Sequence, residues 1–307
     1  MATWLGEDSD AVYYANVSAT ILATLRDRLY HSSGAFNGSF ADGLVGPSAD
    51  RLSQIDHRSM QATLFPMMAG VAELPDGTAI PGMGRAILAF LKATGMKCSC
   101  MAAFWLLEGL YRVGRTDPEA GGAAADHALA VLLSTEQFSW LNMISQGATC
   151  TMETWPGGIE PHSGGTGGTW SHPWCAGPNS AIIRLLLGVR PLQLGWARWE
   201  LAPQLSTLTS VAATVPMVVA AAGMASVIAV NLTQVPQVEV SAVFNVPNGT
   251  AARLCLPPPA GLDSESAPHM EVNGQEVPAG GVVREGRMHC LASDLVGGRS
   301  YTSRRHV

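Results

Sequence analysis

GATCTMETWPGGIEPHSGGTGGTWSHPWCAGP, residues 147–178, is the stretch on which the reading of this chain turns. It is Gly-rich, has no apolar periodicity, and is set between segments that read as helices. Long irregular loops inside a folded domain are usually functional. This one holds Glu153, Trp155, Glu160, His162, Trp170, His172 and Trp174, and six of the chain's eight tryptophans lie between Trp140 and Trp199. Indole faces stack on the apolar faces of sugar rings, while carboxylate and imidazole groups hydrogen-bond hydroxyls. A Glu flanked by Trp on a Gly-rich loop above helices is therefore a carbohydrate-site pattern. The alternative reading is that the tryptophans pack the loop onto the helices beneath it.

Working outward, the residues before the loop read as helical. Asp8 and Asp10 are placed to cap a helix in which Tyr14, Val17, Ile21, Leu25 and Leu29 form a one-sided apolar stripe, ending near Tyr30. Residues 32–54 are loop-like. Further helices are predicted over Arg58–Val71, Gly84–Ala93, Met101–Tyr111 and the Ala-rich Ala120–Leu133, and a last one over Pro178–Leu187, after the loop. That makes six. After Pro203 the charges thin out, and Val and Thr rise. Residues 205–238 read as two buried strands joined by a turn. Val238–Val246 reads as a strand, Pro247-Asn-Gly-Thr as a turn, and Glu271–Val277 as a hairpin around Asn273-Gly274. The expectation is a helical domain over 1–204 and an antiparallel β-sandwich over 205–307.

Composition excludes several classes. The chain has 307 residues, 47% of them hydrophobic and 14% charged, which is not a disordered composition. Its net charge is −6 and its arginines are scattered, so no nucleic-acid partner is expected. Val211–Val230 is apolar and long enough to span a bilayer, but Pro216, the small residues and an Ala-Ala-Gly break favour strands, so no membrane partner is expected. Six cysteines are too few for a disulfide scaffold. Cys98-Ser-Cys100 lacks zinc-ribbon spacing and reads as two small thiols at a helix start. Neither a metal nor another cofactor is expected.

Glycoside hydrolysis normally uses two carboxylates, one to protonate the leaving oxygen and one to activate water or attack the anomeric carbon. Glu153 is the candidate for one of them. Glu160, seven residues on, is a possible mate, but beside Pro161 in a hydrophilic run it reads better as a solvated residue. His162 reads the same way, and His57 reads as a cap or surface residue. Cys150 and Cys175 flank the loop; two free thiols are the simpler reading, since pairing is not deducible from sequence.

The run Ser145-Gln-Gly-Ala-Thr-Cys-Thr-Met-Glu153-Thr-Trp155, followed by Thr169-Trp-Ser-His172-Pro-Trp174-Cys, resembles glycoside hydrolase family 78, the α-L-rhamnosidases. Gln61-Ala-Thr-Leu-Phe-Pro, Gly109-Leu-Tyr-Arg-Val-Gly-Arg-Thr-Asp, Leu187-Gly-Val-Arg-Pro-Leu and Gly195-Trp-Ala-Arg-Trp-Glu-Leu-Ala-Pro extend the resemblance over nearly the whole chain. It implies a six-hairpin (α/α)6 barrel followed by a β-sandwich, and inverting hydrolysis of terminal α-L-rhamnose. It makes Glu153 the general base and His172 a contact of the bound sugar, with Trp155, Trp170 and Trp174 among the pocket walls. Position 152, often Trp in this motif, is Met here.

The resemblance also implies a general acid on an upstream loop, in an acidic motif that nothing here matches. Six helices are half of the twelve that such a barrel has. The chain therefore reads as the C-terminal half of the catalytic barrel plus the sandwich, with weak or no hydrolysis on its own. Its expected partners are a rhamnose-containing glycan and either the upstream half of the barrel or a second copy of itself. The competing function is a non-catalytic remnant that binds such glycans or a partner chain.

Overall fold

The structure, a computed structural model, describes residues 2–48, 50–156, 169–219, 223–262 and 269–306. Helices fill the first part: α1 (Ala2–Leu5), α2 (Asp8–Arg28), α3 (Met60–Ala69), α4 (Met83–Thr94), α5 (Cys100–Thr116), α6 (Gly121–Leu132), α7 (Trp140–Ser145) and α8 (Gly177–Ala181). The last runs on as a turn of π-helix, Ile182–Leu186. Each of the six predicted helices is present. The short α1 and α7 carry no periodic stripe. The start of α7 is nonetheless marked by Ser139, whose hydroxyl accepts from Asn142 N and caps the helix.

The Met101–Tyr111 prediction stops a turn short, because Val113 and Gly114 are also buried in α5. That helix is the centre of the helical part, packing against α3, α6 and α8. Gly109 permits the close approach to α3, since a Cβ there would press into Met67.

Helix α2 departs from expectation in two ways. Asp8 and Asp10 lie in its first turn rather than capping it, where they face the positive end of the helix dipole. None of its residues is buried, and Tyr14 is 62% exposed. Only Leu22, Leu25 and Leu29, toward its C-terminal end, lean on the core. The apolar stripe is there, and half of it is open.

The strands begin with a small pair, β1 (Leu44–Val45) and β2 (Ser53–Gln54), beside the helices. The rest follow α8: β3 (Val189–Pro191), β4 (Arg198–Leu201), β5 (Ser210–Val219), β6 (Met224–Val235), β7 (Glu239–Val246), β8 (Ala251–Leu256), β9 (His269–Val272), β10 (Gln275–Glu276), β11 (Val282–Glu285), β12 (Met288–Leu291), β13 (Leu295–Val296) and β14 (Arg299–His306). One sheet runs β10-β9-β14-β7-β6-β5, antiparallel throughout. The other runs β11-β12-β8-β4-β3, with β13 also on β8. Among the described residues the pairings within 205–307 are antiparallel, as expected, while β4, which precedes that range, lies parallel to β8. The long connection through β5–β7 brings the chain back in the same direction, as parallel pairing requires. Strands β3 and β4 precede residue 204; β3 pairs with β4, and β4 with β8, which follows it.

The Asn273-Gly274 hairpin joins β9 to β10, and both residues have positive φ, 52° and 74°. The apolar 205–238 run is the β5–β6 pair, but it is buried on one face only: Val218 and Val227 are exposed opposite Met217 and Ile228. Among the described residues no helix is long and apolar enough to cross a membrane.

Two seams join these parts. Trp199 of β4 meets Phe244 of β7 edge to face at 6.4 Å, sheet against sheet. Fully buried Glu200 of β4 takes Arg115 of α5 through two bonds of 2.7 Å, and also Arg190 at 2.7 Å and Arg253 at 3.2 Å. Burial alone would raise the Glu200 carboxyl, but the hydrogen bonds and charges of Arg115 and Arg190 outweigh it and hold it at about 2. Gln204 adds a bond of 3.0 Å to Tyr111 O. Gly188, φ 76°, lets the turn after α8 pass against the Ala202 backbone, where any side chain would collide.

Candidate active site

Two loop segments run against each other above the N-terminus of α5. Glu153 N donates to Thr169 O at 2.9 Å and His172 N to Thr151 O at 2.8 Å, so residues 151–153 and 169–172 form a short ladder. The Thr151 hydroxyl strengthens it with a 2.6 Å bond to His172 O. Glu160 and His162 lie outside the described residues.

Glu153 is half-buried at the edge of this ladder. Its Oε2 accepts from Thr169 N at 2.9 Å, with the Thr169 hydroxyl at 3.5 Å. A backbone donor of this kind fixes the orientation of a carboxylate. Thr169 therefore has a role in the site that sequence reasoning did not assign to it, although it stands in the quoted motif.

Beneath Glu153 lies a covalent anchor. Cys100, at the first turn of α5, is disulfide-bonded to Cys175, 75 residues on, and Glu153 O sits 3.2 Å from Cys100 Sγ and 3.8 Å from Cys175 Sγ. The free-thiol readings of Cys100 and Cys175 are thus corrected. Chain folding, not spacing, brings these two together. Cys255 and Cys290 are paired too, on neighbouring strands β8 and β12. Cys150 is free and exposed. Cys98 is free and buried, and its burial pushes the thiol up to about 12, so it stays protonated.

The three tryptophans part company. Trp155 is 1% exposed, gives its indole N–H to Cys98 O at 2.9 Å and packs edge to face on Trp140. It belongs to the core, so for Trp155 the packing alternative describes the residue. Trp170 and Trp174 are each 56% exposed. Trp174 stands edge to face with His172 at 4.7 Å, and His172 Nδ1 accepts from Trp174 N at 3.2 Å. A Nδ1 that accepts leaves Nε2 to carry the ring proton as a donor.

A cavity of about 530 Å³ opens beside the ladder, lined in part by Trp140, Ile144, Cys150, Thr151, His172 and Asn179. Met152 is buried and fills core space at the position noted above. His57 lies on the surface, in contact with Asp42. Among the described residues no three His, Cys, Asp or Glu side chains gather as a metal cluster. The arrangement offers a fixed carboxylate, an imidazole donor and two exposed indole faces around one loop.

The sequence model described as the bacterial α-L-rhamnosidase six-hairpin glycosidase domain matches residues 1–181. Among solved structures, the chain is similar to an α-L-rhamnosidase from Dictyoglumus thermophilum, with a TM-score of 0.68 and 14% identity over all of this chain and 30% of that one. The Streptomyces avermitilis α-L-rhamnosidase complexed with L-rhamnose gives 0.58 and 17%, over all of this chain and 25% of that one. A family 78 rhamnosidase of Bacillus sp. GL1 gives 0.57 and 22%, over 83% of this chain and 24% of that one. The chain thus spans less than a third of the length of these proteins, and at such identities the likeness is one of fold. No curated protein matches it.

Proposed function

The chain belongs to the bacterial α-L-rhamnosidase six-hairpin glycosidase family, and from that premise we propose that it carries the water-activating half of an inverting α-L-rhamnosidase. Residues 1–204 are then the C-terminal half of an (α/α)6 barrel and residues 205–307 a β-sandwich, with β3 and β4 running between them. The observation that carries this reading is the Glu153 carboxylate held by Thr169, on the same short ladder that carries His172.

Glu153 takes a proton from the water that attacks the anomeric carbon, on the face opposite the departing oxygen. His172 Nε2–H donates to a sugar hydroxyl. Trp170 and Trp174 offer faces to the sugar ring or to the group linked to it. The carboxylic acid that protonates the leaving oxygen comes from the upstream half of the barrel. Inverting pairs stand about 6.5–9.5 Å apart, room for the water. The open stripe of α2 supports such an upstream half, which gives Tyr14, Val17 and Ile21 something to pack against.

The test is L-rhamnose release from an aryl α-L-rhamnoside by the chain and by Glu153→Gln, each alone and with the upstream half supplied as a separate polypeptide. The reading expects activity in the reconstituted protein, β-L-rhamnose as the first product by NMR, and a loss of at least about a hundredfold in the variant. Equal activity in both proteins would sink Glu153 as the base. A first product of retained configuration would sink the inverting mechanism.

A further inference from the structure

A second cavity, of about 360 Å³, opens at the end of α5 away from Glu153. Cys100, which touches Glu153 O, begins that helix, and Arg112 and Arg115 stand near its C-terminus. At about 1.5 Å of rise per residue, Arg112 lies roughly 18 Å along the axis from Cys100. One face of α5 lines the cavity through Glu108, Arg112 and Arg115, at helical steps of four and three. Arg184 from the π-helical turn and Arg190 from β3 complete its charged wall. Met68, Leu185 and Ala202 give it apolar patches.

Direct contacts tie these groups together. Arg115 Nη1 and Arg190 Nε donate to the same oxygen, Glu200 Oε2, each at 2.7 Å. Arg184 Nη1 donates to Glu108 Oε1 at 3.1 Å and to the Ser180 hydroxyl at 3.4 Å. Arg112 gives Nε and Nη2 to Glu73 at 2.7 and 2.8 Å. The forks of Arg112 and Arg115 are therefore committed to acids. Two guanidinium edges are not: Nη1 and Nη2 of Arg190, and Nε and Nη2 of Arg184, have no hydrogen-bond partner among the described residues. Both side chains are partly exposed, at 36% and 46%. Burial and the charges of Arg115 and Arg184 hold the Arg190 guanidinium below its ordinary value despite Glu200.

An open guanidinium edge matches a carboxylate, whose two oxygens accept parallel N–H bonds. Glu73, Glu108 and Glu200 already offset much of the positive charge here, so a single negative charge suits the cavity better than the double charge of a phosphate. The space exceeds what a bare carboxylate fills and falls within the range of small-molecule sites, about 300–1,000 Å³. The second oxygen of Glu108 can accept from a hydroxyl, and the apolar patches can meet the C–H face of a ring. We propose that this cavity binds an acidic sugar, a hexuronate, with its carboxylate on Arg184 and Arg190. It is a carbohydrate site separate from the one at Glu153. The choice of a sugar rests on the family to which the chain belongs, and on no role of Glu153.

The experiment is calorimetric and saturation-transfer NMR titration of the full chain with D-glucuronate and D-galacturonate, against D-glucose, D-galactose, acetate and inorganic phosphate at matched ionic strength. The expected result is one site per chain for a uronate, with the neutral sugars, acetate and phosphate each at least tenfold weaker. Arg184→Gln and Arg190→Gln each weaken uronate binding at least tenfold. Arg85→Gln, at an exposed arginine outside the cavity, leaves it unchanged. Arg190 also belongs to the Glu200 seam, so Arg184→Gln decides the matter should Arg190→Gln fail to fold. Failure of both uronates to bind overturns the proposal, as does uronate binding that survives Arg184→Gln. Equal affinity for a neutral sugar, for acetate or for phosphate overturns it too, since the cavity would then not select an acidic sugar. Glu153→Gln binds the uronate as the wild type does, whatever becomes of its rhamnoside hydrolysis. Uronate binding lost in that variant would place the ligand at the other site and overturn the proposal.

Discussion

Trp140 and Trp155 meet edge to face with ring centroids 5.2 Å apart, and each indole N–H is taken by a carbonyl of a cysteine: Trp140 by Cys175 O at 2.7 Å and Trp155 by Cys98 O at 2.9 Å. The pair locks the loop that carries Glu153 onto the start of α5 from below, while Trp170 and Trp174 stay open above.

Trp155→Ala therefore acts as a core truncation. It is expected to cost about 3–5 kcal/mol in urea unfolding. Trp174→Ala is expected to change stability by about 0.5 kcal/mol or less, in line with its exposure, while weakening binding of L-rhamnose by the reconstituted protein. A Trp155→Ala protein of wild-type stability would show that the indole is not part of the core.

Reducing the Cys100–Cys175 bridge frees a loop of 75 residues. Cys175→Ser is expected to lower stability by about 2–5 kcal/mol, and to raise proteolytic cleavage near Glu153, whose carbonyl rests on the two sulfurs. Cys290→Ser, in the other bridge, should leave cleavage there unchanged. Equal cleavage in the two variants would separate the bridge from the loop.

Glu200→Gln leaves Arg115, Arg190 and Arg253 crowded around a neutral amide. Breaking a buried ionic network from one side typically costs about 3–5 kcal/mol, and denaturant midpoints measure it. Replacing Glu285, which lies at the rim and touches Arg115 and Arg253, should cost far less.

The pH dependence follows from His289, which burial and the charges of Arg305 and Arg284 hold at about 4 in the fold against 6.5 for an ordinary histidine. Between those values the unfolded chain binds a proton that the folded chain refuses, so stability falls as pH drops through that window. The full loss is about 3 kcal/mol. Melting curves from pH 7 to pH 4 would show it, and His289→Leu should flatten the slope over that range. Acid loss from Glu200 comes lower, as pH falls from 4.5 toward 2.

The helical stretches were legible because their apolar residues recur every three or four positions, and the Asn273-Gly274 hairpin because two positive φ values in a row demand such residues. The candidate site was readable only as a set of residue types around Glu153. Which tryptophan packs and which stays open was not, since Trp155 and Trp174 share one loop and one chemistry. A carbonyl from a distant segment decides it. The Cys100–Cys175 bridge, the three arginines on Glu200 and the parallel pairing of β4 with β8 are long-range contacts without local periodicity. The stripe of α2 was read correctly as a pattern, while its burial depends on what stands opposite.

The parallel neighbour of β4 also sets a timetable for synthesis. Glu200 leaves the ribosome with Arg115 and Arg190 already made, yet its third guanidinium, Arg253, and the strand that flanks it arrive 53 residues later. Until then the nascent helices end in an unpaired sheet edge, with one of the three arginines on Glu200 still to come. Translation has to run well past the last helix before the first part of the chain can close.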